Sequence, residues 1–217
     1  GQAAGQKFDT WTSRARRRLP DHLARLRSPE LYGNRDRYRR CVNDVNRLMA
    51  WRSRQAGLSL SLADYQDPRY SPLKSGDLLE AAREHESNPF HPWFARRITA
   101  LVEESHPAVA GISLNYLSQA LCAFAMIGFI RAHFPRIAIV LGGGLVTSWL
   151  AGGEGRNPFH GLVDHCVAGP GENALLGLAG IGESGRRFHR PDYGDFPAGD
   201  YLAPGPILPY SASRGCY

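Results

Sequence analysis

Residues 109–144 read VAGISLNYLSQALCAFAMIGFIRAHFPRIAIVLGGG, and their periodicity decides the fold class. Val109 to Leu114 is a nearly continuous apolar run, the pattern of a strand buried in a parallel sheet. From Leu117 to Phe134, Leu117, Leu121, Phe124, Ile127 and Ile130 recur at helical spacing, and most other faces are apolar too. Such a helix must be covered on nearly all sides. Pro135 stops it, and Ile137 to Leu141 forms a second strand that runs directly into Gly142, Gly143 and Gly144.

The alternation continues downstream. A short helix is expected around Thr147 to Ala151, then a Gly-rich loop, a strand from Val163 to Ala168, and a turn, Gly169-Pro170-Gly171-Glu172, opening a helix to Ala179. Strand, helix, strand, helix, strand at this spacing predicts an α/β unit with a parallel sheet and helices on both faces. Upstream lie a helix from about Pro92 to Ser105 and a short one at Asp77 to His85, in a polar connection. Before them Leu58, Leu60 and Leu62 alternate with Ser59, Ser61 and Ala63 as a strand would. Residues 10–54 read as helices broken at Pro20 and near Gly33. One apolar stripe runs through Trp11, Ala15, Leu19, Leu23 and Leu26, and another through Tyr38, Val42, Val45, Leu48 and Met49. Five prolines after Gly180 mark a linker or an extended strap. Three parts follow: a basic helical segment (1–56), the α/β domain (57–180) and a Pro-rich linker (181–217). Asn88-Pro89-Phe90-His91 recurs as Asn157-Pro158-Phe159-His160, and both copies are expected to start helices.

Across its 217 residues the chain is 43% hydrophobic and carries four Cys, which excludes collagen-like, disordered and disulfide-scaffold classes. The net charge of +6 is uneven. Residues 1–57 hold 14 Lys and Arg against 5 Asp and Glu, whereas residues 58–217 hold 12 against 15. An arginine-coated helical face is read first as solvated, next as a docking surface, and least as a nucleic-acid contact, because it lacks stacking aromatics in a regular array. Cys41, Cys122, Cys166 and Cys216 form no Cys-x2-Cys pair and no signal-peptide pattern opens the chain, so a reducing, cytoplasmic setting is expected. The longest apolar run, 11 residues from Ala120 to Ile130, falls short of the roughly 20 a membrane helix needs. No set of histidines has metal-ligand spacing.

In open parallel sheets ligands bind outside the carboxyl ends of the strands, where strand order reverses. Three such ends are found: Ser113, Asn115 and Tyr116 with Gln119; Gly142, Gly143 and Gly144 with Thr147; and Gly169 and Gly171 with Glu172. Glycines let a ligand approach the backbone, and the polar side chains offer neutral hydrogen bonds. No His beside a Ser or Cys and no paired carboxylates occur there, so binding is expected rather than acid–base or nucleophilic catalysis.

From about Leu58 to Tyr217 the chain resembles the amino-terminal half of cobalamin-binding-domain radical S-adenosylmethionine enzymes. The resembling pieces are Val109 to Ser113 with Gln119, the strand into Gly142-Gly143-Gly144, and Val163-Asp164 closing in Gly169-Pro170-Gly171-Glu172. Further on come Pro191-Asp192-Tyr193 and Leu208-Pro209-Tyr210, leading to Ser213-Arg214-Gly215-Cys216. The resemblance implies a flavodoxin-like fold holding the nucleotide tail of cobalamin among these loops, with no protein histidine below the cobalt. It also implies that Cys216 is the first of three Cys-x3-Cys-x2-Cys ligands of a [4Fe–4S] cluster that cleaves S-adenosylmethionine. The other two ligands and the rest of the radical domain are expected beyond Tyr217, so this chain by itself is expected not to be catalytic. The family's opening strand ending in Pro-Pro has no counterpart in residues 1–57. An exposed sheet edge, and pairing of two copies through it, are therefore expected. Two other readings stand beside this one: a cofactor-free interaction domain of the same fold, and a nucleotide-binding enzyme domain, for which Asp64 is the sole candidate to bind a ribose.

Overall fold

The computed structural model describes residues 9–151, 157–182, 192, 194 and 198–205. They group into two compact units divided between Ala63 and Asp64, the first of which also includes the described residues from 192 onward.

The first unit is helical: α1 (Thr10–Arg25), α2 (Pro29–Tyr32) and α3 (Arg35–Arg54), followed by the two-residue β1 (Ser59–Leu60). Asp9 caps α1 by accepting the Thr12 N–H at 2.8 Å, and Asn34 caps α3 by accepting that of Arg37 at 3.0 Å, which satisfies donors the first turn leaves open. Leu26, Leu31, Cys41 and Val45 form the core, with Leu19, Leu23, Val42, Met49 and Leu202 packed against it. The last of these comes from the Pro-rich stretch, and the Tyr32 hydroxyl donates to its carbonyl at 3.2 Å.

Three expectations fail in this unit. Helix α1 runs unbroken through Pro20, which sits on its exposed side while Thr12, Ala15, His22 and Leu26 carry the buried stripe. Packing of that stripe outweighs the cost of an interior proline. Trp11 is 62% exposed, with the Arg14 guanidinium over its ring. Hydrophobicity alone assigns Trp11 to the stripe because the true positions include two polar residues, Thr12, which bonds Asp9, and His22, whose Nδ1 meets Cys41. The predicted strand at 58–62 shrinks to β1, since the Leu62 N–H is taken by Asn46 Oδ1 at 2.8 Å and that of Ala63 by Ser61 Oγ.

The second unit is α/β. It runs β2 (Tyr65–Gln66), α4 (Ser75–Arg83), α5 (His91–Ser105), β3 (Val109–Ser113), α6 (Leu117–His133), β4 (Ala138–Gly142), α7 (Gly144–Ala151), β5 (His165–Cys166) and α8 (Glu172–Leu178). Strands β3, β4 and β5 form a parallel sheet in that order, with Val109 opposite Ala138, Ser113 opposite Gly142, and Val140 opposite His165. Helix α6 buries residues on every side, as its composition demands. Helices α4 and α5 and the 3-10 turn His85–Ser87 pack on it. A Cβ placed on Gly128 would lie 1.9 Å from the Ala82 carbonyl oxygen, so α4 and α6 meet backbone to backbone. Phe124 of α6 meets Phe159 edge-on, with ring centroids 4.6 Å apart. Arg131 reaches the Leu162 carbonyl at 3.0 Å and Asp164 at 2.6 Å. Asp164 also accepts the Ile139 N–H. Burial pushes its carboxyl up, but these bonds prevail and hold it below its ordinary value. No helix among the described residues is long and apolar enough to cross a membrane.

The repeated tetrapeptide behaves differently in its two copies. Asn88 and Asn157 each accept the N–H of the Phe two residues on, at 3.0 and 2.9 Å. Only the first copy leads into a helix; the second is a turn, in which Asn157 also donates to the Val163 carbonyl. The fold also gathers histidines distant in sequence. His85, His91 and His133 stand with ring centroids 5.5 to 5.8 Å from His85, around Phe94 and Phe129. Among the described residues no group of three His, Cys, Asp or Glu side chains could hold a metal.

Two outcomes follow from these packings. Gly128→Ala must force α4 from α6 and is expected to cost about 3 kcal/mol in chemical denaturation. Burial first, then the neighbouring His91, lowers the His85 pKa. The fold therefore favours neutral His85: its contribution is whole above about pH 6.5 and is lost as pH falls through the lowered folded value. The melting temperature should drop between pH 7 and pH 5, and His85→Phe should flatten that slope.

Candidate functional site

The carboxyl ends of β3, β4 and β5 open into a cleft of about 420 Å³. Its floor follows from strand alternation. Gly111 and Ser113 on β3 stand beside Val140 and Gly142 on β4, all on one face, and Val167 continues it past β5. A Cβ on Gly111 would meet nothing within 4 Å, so the sheet lies bare there. Gly169, Gly171 and Leu175 from the turn and helix α8 complete the wall. Among the described residues no charged or nucleophilic side chain lines the cleft, apart from the Ser113 hydroxyl.

The loops around it are braced to one another. Leu114, fully buried, donates its N–H to the Gly142 carbonyl at 2.7 Å and accepts from the Leu145 N–H at 3.2 Å. That clasp passes the β4 loop over Leu114 so closely that only glycine fits at 143. Its φ is +107°, and a Cβ would stand 2.4 Å from the Leu114 oxygen. Asn115 accepts the Gly144 N–H at 2.9 Å and donates to Ser113 Oγ. Gln119 accepts the N–H groups of Asn115 and Tyr116 at the start of α6. Thr147 donates to the Gly143 carbonyl and accepts the Gly169 N–H at 2.9 Å, joining the second loop to the third.

Of the residues expected from sequence, Ser113, Gly142, Gly143, Gly169 and Gly171 line the cleft. Asn115, Gln119, Gly144 and Thr147 surround it as braces, their polar atoms engaged within the protein. Tyr116 is 67% exposed and Glu172 opens α8, neither lining the cleft. Cys216 lies outside the described residues. Asp64 is bonded to Gln66 and is not part of the wall. Gly111, Ile112, Val140, Val167 and Leu175 line the cleft but were not expected. Two-residue periodicity from Ser113 back to Gly111, and from Gly142 back to Val140, is the signal that could have found the floor. The strands follow chain order, so the described sheet contains no reversal, and among the described residues no strand pairs with the outer edge of β3.

Compared with protein-family models, curated proteins and solved structures, the chain matches none.

The glycines of the cleft separate into two kinds, and substitution distinguishes them. Gly143→Ala combines a left-handed backbone with a clash against Leu114 and should cost roughly 2–4 kcal/mol. Gly111→Leu enters open space and should change stability by less than about 1 kcal/mol while filling the cleft. Paired denaturation curves check both.

Proposed function

We propose that residues 64–182 are a partial flavodoxin-like, cobalamin-binding-like domain of a radical S-adenosylmethionine enzyme, and that its task is to hold a cofactor rather than to make or break bonds. The observation that carries this reading is the bare, neutral, glycine-floored cleft at the carboxyl ends of three parallel strands. Parallel sheets of this kind take ligands at that end. A floor without a Cβ at Gly111 suits a flat, uncharged ring approaching the backbone. About 420 Å³ has the scale of the nucleotide tail of cobalamin rather than of its whole corrin ring. Ser113 would offer the tail a hydroxyl, and the Asn115, Gln119 and Thr147 braces would keep the glycines in place. Bound cobalamin would supply a methyl or radical carrier.

The cluster is a different matter. A [4Fe–4S] cluster needs three cysteines at close spacing, and this sequence has one thiol in the matching position, Cys216. The residues present do not make that centre, and no radical step is derived for this chain.

The internal engagement of Asn115, Gln119 and Thr147 favours a second reading, a domain of the same fold that has lost its cofactor and binds a partner. The nucleotide-binding reading has less support, because among the described residues the wall has no acidic side chain for a ribose. One titration separates the first two. After incubation with hydroxocobalamin and desalting, the protein should keep the visible spectrum of the cofactor, and Gly111→Leu should abolish retention without unfolding. No retention by the parent chain at saturating hydroxocobalamin would sink the cofactor reading for it.

A further inference from the structure

The helical unit holds a second cavity that the cofactor reading does not use. Between α1 and α3 lies a polar cavity of about 450 Å³ lined by Arg18, Arg25, Arg37 and Arg40, one carboxylate, Asp21, and His22 and Cys41. His22 is only 4% exposed and Cys41 2%. The Nδ1 atom of His22 stands 2.8 Å from Cys41 Sγ. On the other side of the ring, Nε2 lies 3.2 Å from Asp44 Oδ2, in ion-pair contact but off the hydrogen-bond line. A carboxylate beside Nε2 favours the tautomer protonated there, which leaves the Nδ1 lone pair to receive the thiol proton. Thiol, imidazole and carboxylate thus stand in the order in which a base activates a nucleophile and a third group orients the base.

The arginines define what such a thiol would meet. Arg25 is bonded to Asp21 at 2.8 Å. Arg18, Arg37 and Arg40 have no ion-pair partner among the described residues, so the cavity keeps an excess of positive charge. Burial pushes the Cys41 thiol up, Asp21 and Asp44 add to this, and Arg25 and Arg40 oppose it. The resting sulfur is therefore a protonated thiol whose proton must pass to His22 as it reacts. Guanidinium groups converging on one cavity are suited to an oxyanion, which they bind by paired, charge-assisted hydrogen bonds.

We propose that this cavity binds a small oxyanion, and that Cys41 beside it is a reactive thiol toward an electrophilic carbon carried by such an anion together with its leaving group, with His22 as its base and Asp44 as a positioning residue. Iodoacetate, an anion carrying an electrophilic carbon, reproduces the step. The Sγ–H proton moves to His22 Nδ1, the sulfur electron pair forms the bond to the CH2 carbon, and iodide leaves with the pair of the C–I bond.

The test follows labelling of the full chain by mass spectrometry of the Cys41 peptide, with the Cys122 and Cys166 peptides as internal standards. Relative to those standards, Cys41 should favour iodoacetate over uncharged iodoacetamide by about tenfold or more. Inorganic phosphate should slow the iodoacetate reaction beyond the effect of chloride at matched ionic strength. A parallel series with acetate tells a phosphate-type ligand from a carboxylate one. Arg18→Gln with Arg40→Gln, both at exposed positions, should bring the iodoacetate-to-iodoacetamide ratio of Cys41 close to that of Cys122 and Cys166. His22→Asn should slow both reagents. The proposal is overturned if Cys41 shows the same reagent ratio as Cys122 and Cys166, if phosphate protects no better than chloride, or if neither reagent labels Cys41 in the folded protein.

Discussion

The contact between Gly128 and the backbone of Ala82 governs the α/β unit. Helix α6 is apolar on nearly every side and can exist only where other elements cover it all round. The sheet and its flanking loops supply one side through Phe159, Leu162 and Asp164, while α4 and α5 supply the other. With a larger residue at 128 the outer layer would stand off, and the aromatic and histidine side chains between the layers would lose their close packing. Because α6 also begins at the rim of the cleft, its seating determines where Asn115, Tyr116 and Gln119 stand. A packing constraint at one end of the helix is therefore felt in the loop at the other.

The cleft itself is built by subtraction. Its floor is open because Gly111 and Gly142 carry no side chains, and its rim is firm because Leu114, Asn115 and Thr147 spend their hydrogen bonds on neighbouring loops. These two properties are complementary: a bare backbone surface keeps its shape only if the turns beside it cannot relax into it. The left-handed Gly143 is where the two meet, since it lets the β4 loop cross Leu114 closely enough for Leu145 and Gly144 to be tied down. The cavity near Cys41 is made in the opposite way, by long charged side chains projecting from two helices.

Periodicity carried most of the architecture. The buried helix at Leu117, both flanking strands and the parallel sheet follow from apolar spacing, because each buries a continuous surface. Long-range partners were what spacing could not supply. Thr12 is buried where it bonds Asp9 and His22 where its Nδ1 meets Cys41, so a hydrophobicity pattern places Trp11 there instead. Pro20 stays within a helix because tertiary packing offsets a local penalty. At the cleft, the sequence pointed to loops that border it, without separating the residues that line it from those that brace it. Asn115, Gln119 and Thr147 have the chemistry of ligand contacts, yet the same hydrogen bonds can close a loop, and only their geometry shows which use prevails. Gly111 was passed over because a glycine inside a strand reads as a weakness until its neighbours reveal an exposed face.

The bond from Tyr32 to the Leu202 carbonyl joins residues 170 positions apart, and it bears on the order in which the molecule is made. Helices α1 to α3 leave the ribosome before the α/β unit, but Leu202, which packs against their core, is synthesised long afterwards. At about 5–20 residues per second, the helical unit waits on the order of 10–30 s for that leucine. In that interval Leu26, Leu31 and their neighbours lack part of their cover, and the arginine coat around them keeps like-charged nascent chains apart. The helical unit is thus begun before the α/β unit and receives Leu202 only after that unit has been translated.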